Sequence, residues 1–348
     1  MKILKDPKYI VAAAVVLIVV VALTLQNHSS PPQLSSTPSI ELQNPNGQNQ
    51  TTTPAPTLTG IIVGDIGINE VTLTAYDPAN GSVTSSRQFN TQGFGIPTFN
   101  RQAFNKDYTW MAVSQAGSDG SSHIGYIDQS RNFTNLTPSS SYSNIPNQTK
   151  PYFDLNTGRI WFVSGSNRYG SVDPKIGASS SRNEQSPANS GTVSPDGKTL
   201  VGFSIGLSEQ GGGFDITNTA SGSTTSVPTS QGDDSCLPEV FIDNNSFVCV
   251  QASHFGMGDP TPNSQLYKIT LSANRRSITT VPLLPPNNRA IIDGVGNPSG
   301  TQVAFISQSG NINTLYTISA SGGGEPQKVI DLITSDGLSQ SQLISWEE

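Results

Sequence analysis

An all-β chain, built as a β-propeller, is what this sequence predicts, and three observations predict it. An eleven-residue frame, a turn followed by a short strand, recurs along the chain. Its clearest copies are Ser194-Pro195-Asp196-Gly197 leading into Thr199–Phe203 and Asn297-Pro298-Ser299-Gly300 leading into Thr301–Ser307. Weaker copies begin at Phe104, Asp154 and Phe241, so the frames start at 104, 154, 194, 241 and 297, in steps of 50, 40, 47 and 56 residues. A period of about 40–50 residues filled with short strands marks a propeller blade. The second observation is a further frame downstream of the turn. Leu266-Tyr267-Lys268-Ile269 and Leu315-Tyr316-Thr317-Ile318 share it at a spacing of 49 residues, with Ile124-Gly125-Tyr126-Ile127-Asp128 a looser copy. The third is composition. Only 12% of the 348 residues are charged, with Ser, Thr, Asn and Gln in their place, which suits an exported all-β chain better than a cytosolic helical enzyme.

Taken in order, the chain opens with Lys2, Lys5 and Lys8 and then an apolar run from Ile10 to Leu25, broken only by Thr24. With Tyr9 the run is 17 residues, about 25 Å as a helix, the short end of a membrane span. The lysines precede it and no basic residue follows closely, so the N-terminus stays cytoplasmic and the rest lies outside. Residues 1–26 are therefore expected to be a transmembrane anchor. A cleaved signal peptide is the competing reading. It is disfavoured because the run is long and no clean small-x-small site ends it. Residues 27–58 are rich in Pro, Ser, Thr, Asn and Gln and hold too little apolar surface to repay ordering. They read as a disordered tether.

Residues 59–348 read as strand and turn throughout. Glu70–Asp77 alternates at period two, meets the turn Pro78-Ala79-Asn80-Gly81 and returns through Ser82–Phe89, a hairpin by turn and by alternation. Each later unit runs turn, strand, loop, strand, turn, strand, which makes a four-stranded blade once the entering strand is added. Gly211-Gly212-Gly213 and Gly322-Gly323-Gly324 open no helix. They read as hairpin turns rather than phosphate loops.

Ser194-Pro195-Asp196-Gly197-Lys198 followed by an apolar strand resembles the WD40-like repeat of TolB-type six-bladed propellers, and Asn297–Ser307 with Leu315–Ile318 looks like the same module. In that family an aromatic commonly precedes the turn. Ile344-Ser345-Trp346 at the C-terminus resembles such an opening strand, cut short, whose blade would be completed by Thr59–Phe89. The resemblance then implies six blades: 59–89 with 341–348, and roughly 95–137, 150–185, 187–230, 236–285 and 287–333. The copies at Phe104, Asp154 and Phe241 lack Pro and Gly in register. That leaves five or seven blades open, with a β-sandwich as the alternative architecture.

Candidate chemistry is sparse. The three histidines, His28, His123 and His254, stand in separate segments with no ligand cluster, so neither a metal nor any other cofactor is expected. Asp233-Asp234 and Asp259-Pro260 lack calcium-loop spacing, and no Gly-x-Ser-x-Gly elbow is present. Cys236 and Cys249 are the only cysteines. Export would permit a bridge. Against it, a hairpin turn at Asp243-Asn244-Asn245 places Cys249 opposite about residue 239, so distance decides. The sequons at Asn80, Asn132, Asn135 and Asn147 arise readily by chance in such a composition. Tyr142, Tyr152, Tyr169, Phe255 and Met257 fall in or beside long loops and are the candidate binding residues, because propellers bind through loops around the channel; blade packing is their ordinary alternative.

From Thr59 onward there are 15 basic and 23 acidic residues, so phosphate neutralisation is not available and nucleic acid is not expected as a partner. In the TolB-type family the propeller binds envelope proteins in the periplasm. The resemblance implies a soluble periplasmic propeller; this chain departs from it by its apolar N-terminal run, and the two together lead us to expect a membrane-tethered, extracytoplasmic scaffold, periplasmic or at the cell surface, with an envelope or extracellular protein as partner. A carbohydrate- or peptide-processing enzyme, or a sugar-binding adhesin, using loops around the channel is the alternative.

Overall fold

The computed structural model describes residues 57–96, 100–117, 122–137, 149–163, 169–178, 182–184, 191–204, 212–229, 235–252, 264–309, 312–332 and 340–348. The apolar run and the tether lie outside these residues. Among the described residues no helix is long and apolar enough to cross a membrane.

Six antiparallel sheets form a ring of blades. The first begins with β1 (Gly60–Ile66), β2 (Glu70–Tyr76) and β3 (Val83–Asn90). The second is β4 (Trp110–Ala116), β5 (Ser122–Asp128) and β6 (Phe133–Asn135), and the third β7 (Thr149–Phe153), β8 (Ile160–Val163), β9 (Tyr169–Val172) and β10 (Arg182–Glu184). The fourth is β11 (Gly191–Val193), β12 (Thr199–Ser204), β13 (Gly213–Asn218) and β14 (Thr224–Pro228). The fifth is β15 (Ser235–Phe241), β16 (Ser246–Ala252), β17 (Leu266–Leu271) and β18 (Ile278–Pro282), and the sixth β19 (Ala290–Gly296), β20 (Gln302–Ser309), β21 (Ile312–Ser319) and β22 (Gln327–Leu332). The last strand, β23 (Gln340–Glu347), returns to the first sheet and pairs with β1 from Gly60↔Glu347 to Ile66↔Gln340. The closing strand expected from Ile344-Ser345-Trp346 is therefore β23. The ring has six blades, and neither five nor seven.

Alternation explains why the blades stack. Along β1, Ile62 packs with Val71, Leu73 and Phe89 against Met111, Val113 and Ile127 of the second blade. Its neighbours Ile61 and Val63 point the other way, against Val295, Ile306 and Leu315 of the sixth. Similar apolar clusters fill the junctions between the second and third blades, the fourth and fifth, and the fifth and sixth. Each such side chain stabilises by about 1.5–3 kcal/mol on full burial.

The second blade departs from the expected four strands. Among the described residues its inner position is held by two isolated bridges, Gly95↔Ser114 and Phe104↔Met111, and not by a strand. The reason lies in Asn100, whose side chain accepts from the Gln102 amide and caps a 3-10 turn at Arg101–Ala103 that lifts the chain off the ladder. Of the first glycine run, Gly211 lies outside the described residues, Gly212 lies in the β12–β13 hairpin connection, and only Gly213 departs from the expected turn. Gly213 opens β13 opposite Pro228, and a Cβ there would sit 2.7 Å from the Val227 carbonyl oxygen. Gly322 and Gly323 do form a hairpin turn, both at positive φ.

The recurring turns link neighbouring blades. The Asp196 amide donates to Asn244 Oδ1 of the fifth blade at 3.0 Å, and Asn297 Nδ2 donates to Glu348 at 3.4 Å. Arg101 pairs with Glu347 at 3.2 Å and lies 4.1 Å from the centre of the Tyr108 ring. Tyr108, buried and at φ 58, bonds Ser345 and Glu347 through its hydroxyl. Gly300 shows what the turn demands of its glycine: φ is +69, and a Cβ would lie 2.5 Å from the Ile242 carbonyl oxygen of the next blade's turn.

Gly300→Ala should therefore destabilise the protein by about 2 kcal/mol or more, because αL strain and a backbone clash combine. Gly323→Ala, with the same sign of φ and nothing within 4 Å of the added carbon, should cost only about 1 kcal/mol. Denaturant unfolding of the two variants checks the difference.

Candidate functional site

The order of strands in each blade gives the ring two unlike faces. The inner-to-second and third-to-outer connections lie on one face and are mostly short, hydrogen-bonded turns, with the nine-residue connection 173–181 of the third blade the exception. Ser194 N donates to Thr199, Asn297 N to Gln302, and Gly222 N to Asn218, each at 2.8–2.9 Å. Side chains complete them: Asn297 Oδ1 takes the amides of Thr301 and Gln302, and Asp243 Oδ1 those of Asn245 and Ser246. The opposite face carries the second-to-third hairpins and the crossings between blades, including connections 136–148, 205–212 and 253–265. Two exposed apolar side chains, Ile68 and Ile312, flank hairpin tips of adjacent blades on that face.

Between the faces, the inner strands carry bulges. The register slips between Pro238 and Val240 in β15, between Ile291 and Asp293 in β19, and opposite Ile62/Val63 in the β23 ladder. A bulge re-aims side chains: the unpaired residue in β15 is Glu239, those in β19 and β23 are Ile292 and Ile344, and Asp293 follows directly on Ile292. Asp293 is buried, and its carboxylate accepts the amides of Gly294 at 2.8 Å and Leu343 at 2.6 Å. Glu239, the unpaired residue of the β15 bulge, is enclosed by its neighbours while part of its surface still meets solvent. Burial pushes the Asp293 carboxyl up to about 7, against the pull of its two amides. Burial, and then the charge of Asp293, pushes Glu239 well above the carboxylate range. Asp65, further along the ring-closing seam, accepts from Ser341 Oγ at 2.5 Å and is also raised by burial.

The Cys236–Cys249 bridge forms, with Cα atoms 5.5 Å apart. The bulge settles the register: Glu239 drops out of the ladder, Cys249 faces Pro238, and Cys236 faces Gln251. The cysteines are thus diagonal neighbours across β15 and β16, within bridging reach.

Of the candidate binding residues, Tyr152 lies half-buried inside β7 opposite Trp161, and Tyr169 begins β9 opposite Val163 and Glu184. Tyr142, Phe255 and Met257 lie outside the described residues, as do His28, His254, Asp233-Asp234 and Asp259. His123 lies 3.0 Å through Nδ1 from the Thr137 carbonyl oxygen, to which it donates. Among the described residues no three His, Cys, Asp or Glu side chains converge on a metal position. The sequon asparagines are spent on turns: Asn80 bonds Asp77 and Ser82, Asn132 bonds Asp128, and Asn135 takes the Thr137 amide; Asn147 is outside the described residues.

Sequence reasoning missed Glu239, Asp293 and Asp65. The available signal was a lone carboxylate inside an apolar strand, as in Cys-Leu-Pro-Glu-Val-Phe and Ile-Ile-Asp-Gly-Val.

No protein-family model matches the chain, and no curated protein matches it. Similar solved structures include TolB from Acinetobacter baumannii, at 14% identity over 83% of this chain and 68% of that one, with a TM-score of 0.49. A putative TolB from Agrobacterium tumefaciens is 12% identical over 82% of this chain and 99% of its own, at 0.46. The β-propeller domain of the Trilobed protease from Pyrococcus furiosus is 12% identical over 74% of each, at 0.43.

Reducing the Cys236–Cys249 bridge, whose cysteines are 13 residues apart, should destabilise the protein by about 3 kcal/mol. Denaturant titrations with and without reductant measure it. Coincident curves would show that the bridge adds nothing.

Proposed function

We propose that the protein is a membrane-tethered, extracytoplasmic β-propeller that binds another protein of the cell envelope through the face carrying its long connections. One observation supports this above the others: the two faces are built differently. The turn face is occupied with itself, its polar side chains committed to turns and to neighbouring blades. The opposite face receives the longest connections between strands, and loops held by a rigid scaffold are where such folds bind. Tyr142, Phe255 and Met257 belong to those connections, and Tyr169 begins at a strand end beside one. Tyr152 lies deeper, within β7. All five remain the candidate contact residues.

Gly60 opens a second strand and Glu347 ends an inner one, so both ends of the ring-closing ladder lie at the turn face, away from the long connections. The disulfide favours an oxidising compartment.

The test is affinity capture with the full chain, crosslinked in the membrane. A partner recovered in stoichiometric yield should be lost when Phe255 and Met257 are changed to Ser. It should be kept when exposed Lys198 on the turn face is changed to Ala. Loss with Lys198→Ala alone, or equal retention in both variants, would reject this face as the binding surface.

A further inference from the structure

Among the described residues, an apolar cluster fills every junction between blades but one: first with second, second with third, fourth with fifth, fifth with sixth and sixth with first. The exception is the junction of the third and fourth blades. There β11 packs closely on β15 of the fifth blade and has no comparable packing against β7 or β8 of the third. The two blades meet at the turn face, where a Cβ on Gly197 would lie 3.5 Å from Asn156 Nδ2. At the rim nothing lies within 4 Å of a carbon added to Gly222, where the matching Gly322 of the sixth blade would strike the Pro282 carbonyl oxygen of the fifth at 2.8 Å. The third and fourth blades therefore bound a cleft that is pinned at its turn-face end.

Alternation decides what the walls present. In the third blade Phe153, Ile160, Phe162 and Val172 point into the cluster with the second. Tyr152, Trp161 and Ser171, direct partners across β7, β8 and β9, therefore point the other way, into the cleft. Tyr152 and Trp161 are half-buried. Arg159 lies on the same wall, its Nε donating to Ser171 Oγ at 3.0 Å and its Nη2 to the Ser171 carbonyl oxygen at 3.1 Å. In the fourth blade Val201, Phe214, Ile216 and Val227 point at the fifth. That leaves Leu200, Gly202, Asp215 and Thr217 facing the cleft, with Ser226 and Thr224 as the ladder partners of the last two. Ser226 Oγ donates to Asp215 at 2.5 Å, and the Thr217 and Thr224 hydroxyls lie 2.8 Å apart.

One wall thus carries two aromatic rings, and the other a row of hydroxyls with one carboxylate. An aromatic platform with a few placed polar groups is the lining of a ligand site. Aromatic faces stack on the C–H faces of a sugar ring, and hydroxyls and a carboxylate exchange hydrogen bonds with its hydroxyl groups. A peptide fits less well, because the walls are sheet faces and not strand edges, so an extended backbone finds no ladder to join. Arg159 is committed to Ser171 and the facing wall carries Asp215, which disfavours an anionic ligand.

We propose that the cleft between the third and fourth blades binds a neutral saccharide, its ring stacked on Trp161 and Tyr152 and its hydroxyls held by Asp215 and the hydroxyl row of the fourth blade. The site is separate from the long-connection face and does not depend on protein binding there.

The experiment is calorimetric titration of the full chain, in a detergent without a sugar headgroup, with hexasaccharides of glucose, mannose and N-acetylglucosamine and with a proline hexapeptide. At least one saccharide should bind. Trp161→Leu keeps an apolar side chain and removes the ring, and should weaken that binding about tenfold or more. Asp215→Asn keeps the shape and removes the charge, and should weaken it about threefold or more. No binding of any of the three saccharides at millimolar concentration would overturn the proposal, and so would equal affinity in wild type and both variants. Binding of the proline peptide alone, lost in Trp161→Leu, would overturn the assignment to saccharide. If Trp161→Leu does not fold, Asp215→Asn decides by the same criterion.

Discussion

The pairing of β23 with β1 is the interaction on which the rest of this fold depends. A four-stranded blade with apolar side chains on both faces cannot stand alone; it needs a blade on each side, and a row of blades satisfies that only by becoming a ring. A linear chain has two ends, so one blade must be assembled from both. The ladder from Gly60↔Glu347 to Ile66↔Gln340 does this and leaves neither the first nor the sixth blade with an open apolar face. Separate contacts hold β23 from both flanks: Arg101 and Tyr108 from the second blade, and Asn297 and Asp293 from the sixth. All span long stretches of sequence, so the loop-closure entropy falls due before any of them forms.

Much of this architecture was legible in the residues. A turn such as Ser-Pro-Asp-Gly specifies itself locally, through the fixed φ of Pro195 and the positive φ of Gly197, so the repeat and the blade limits could be read directly. The closing strand was legible because Ile344-Ser345-Trp346 resembles an opening strand that the hairpin at Thr59–Phe89 could complete. Where the reading failed, the cause was non-local. The inner position of the second blade is lost to a cap at Asn100, and the register of Cys249 is shifted by one bulged residue, a one-residue slip that no strand pattern announces. The burial of Glu239 and Asp293 depends on which strands become neighbours in the ring, and a lone Glu or Asp in a strand carries no mark of that. The aromatic candidates were chosen for lying near long connections, yet Tyr152 proved to be a strand residue, because β7 starts earlier than its polar flank suggests.

The electrostatics follow from the same geometry. Inner strands are the places where three blades approach one another, and bulges there turn side chains out of the regular alternation. Two of these points carry acids at or beside the slip, Glu239 and Asp293, and the irregularity in β7 leaves Lys150 out of the ladder. The few basic groups near the ring closure, Arg87 and Arg101, spend themselves on backbone carbonyls and Glu347 at the turn face. The buried carboxylates Asp293 and Asp65 are instead held by backbone amides and a hydroxyl.

Because Gly60 and Glu347 are direct partners in the ladder, the seam has a mechanical weakness as well as a thermodynamic role. A load drawn between the two termini would pull that pair apart first and then open the ladder one rung at a time, like a zipper. A load shared along the strands would have to break many rungs together. The same ladder is therefore weak or strong according to the direction in which it is loaded: it yields rung by rung to a pull at Gly60 and Glu347, and resists as a whole a pull along its length.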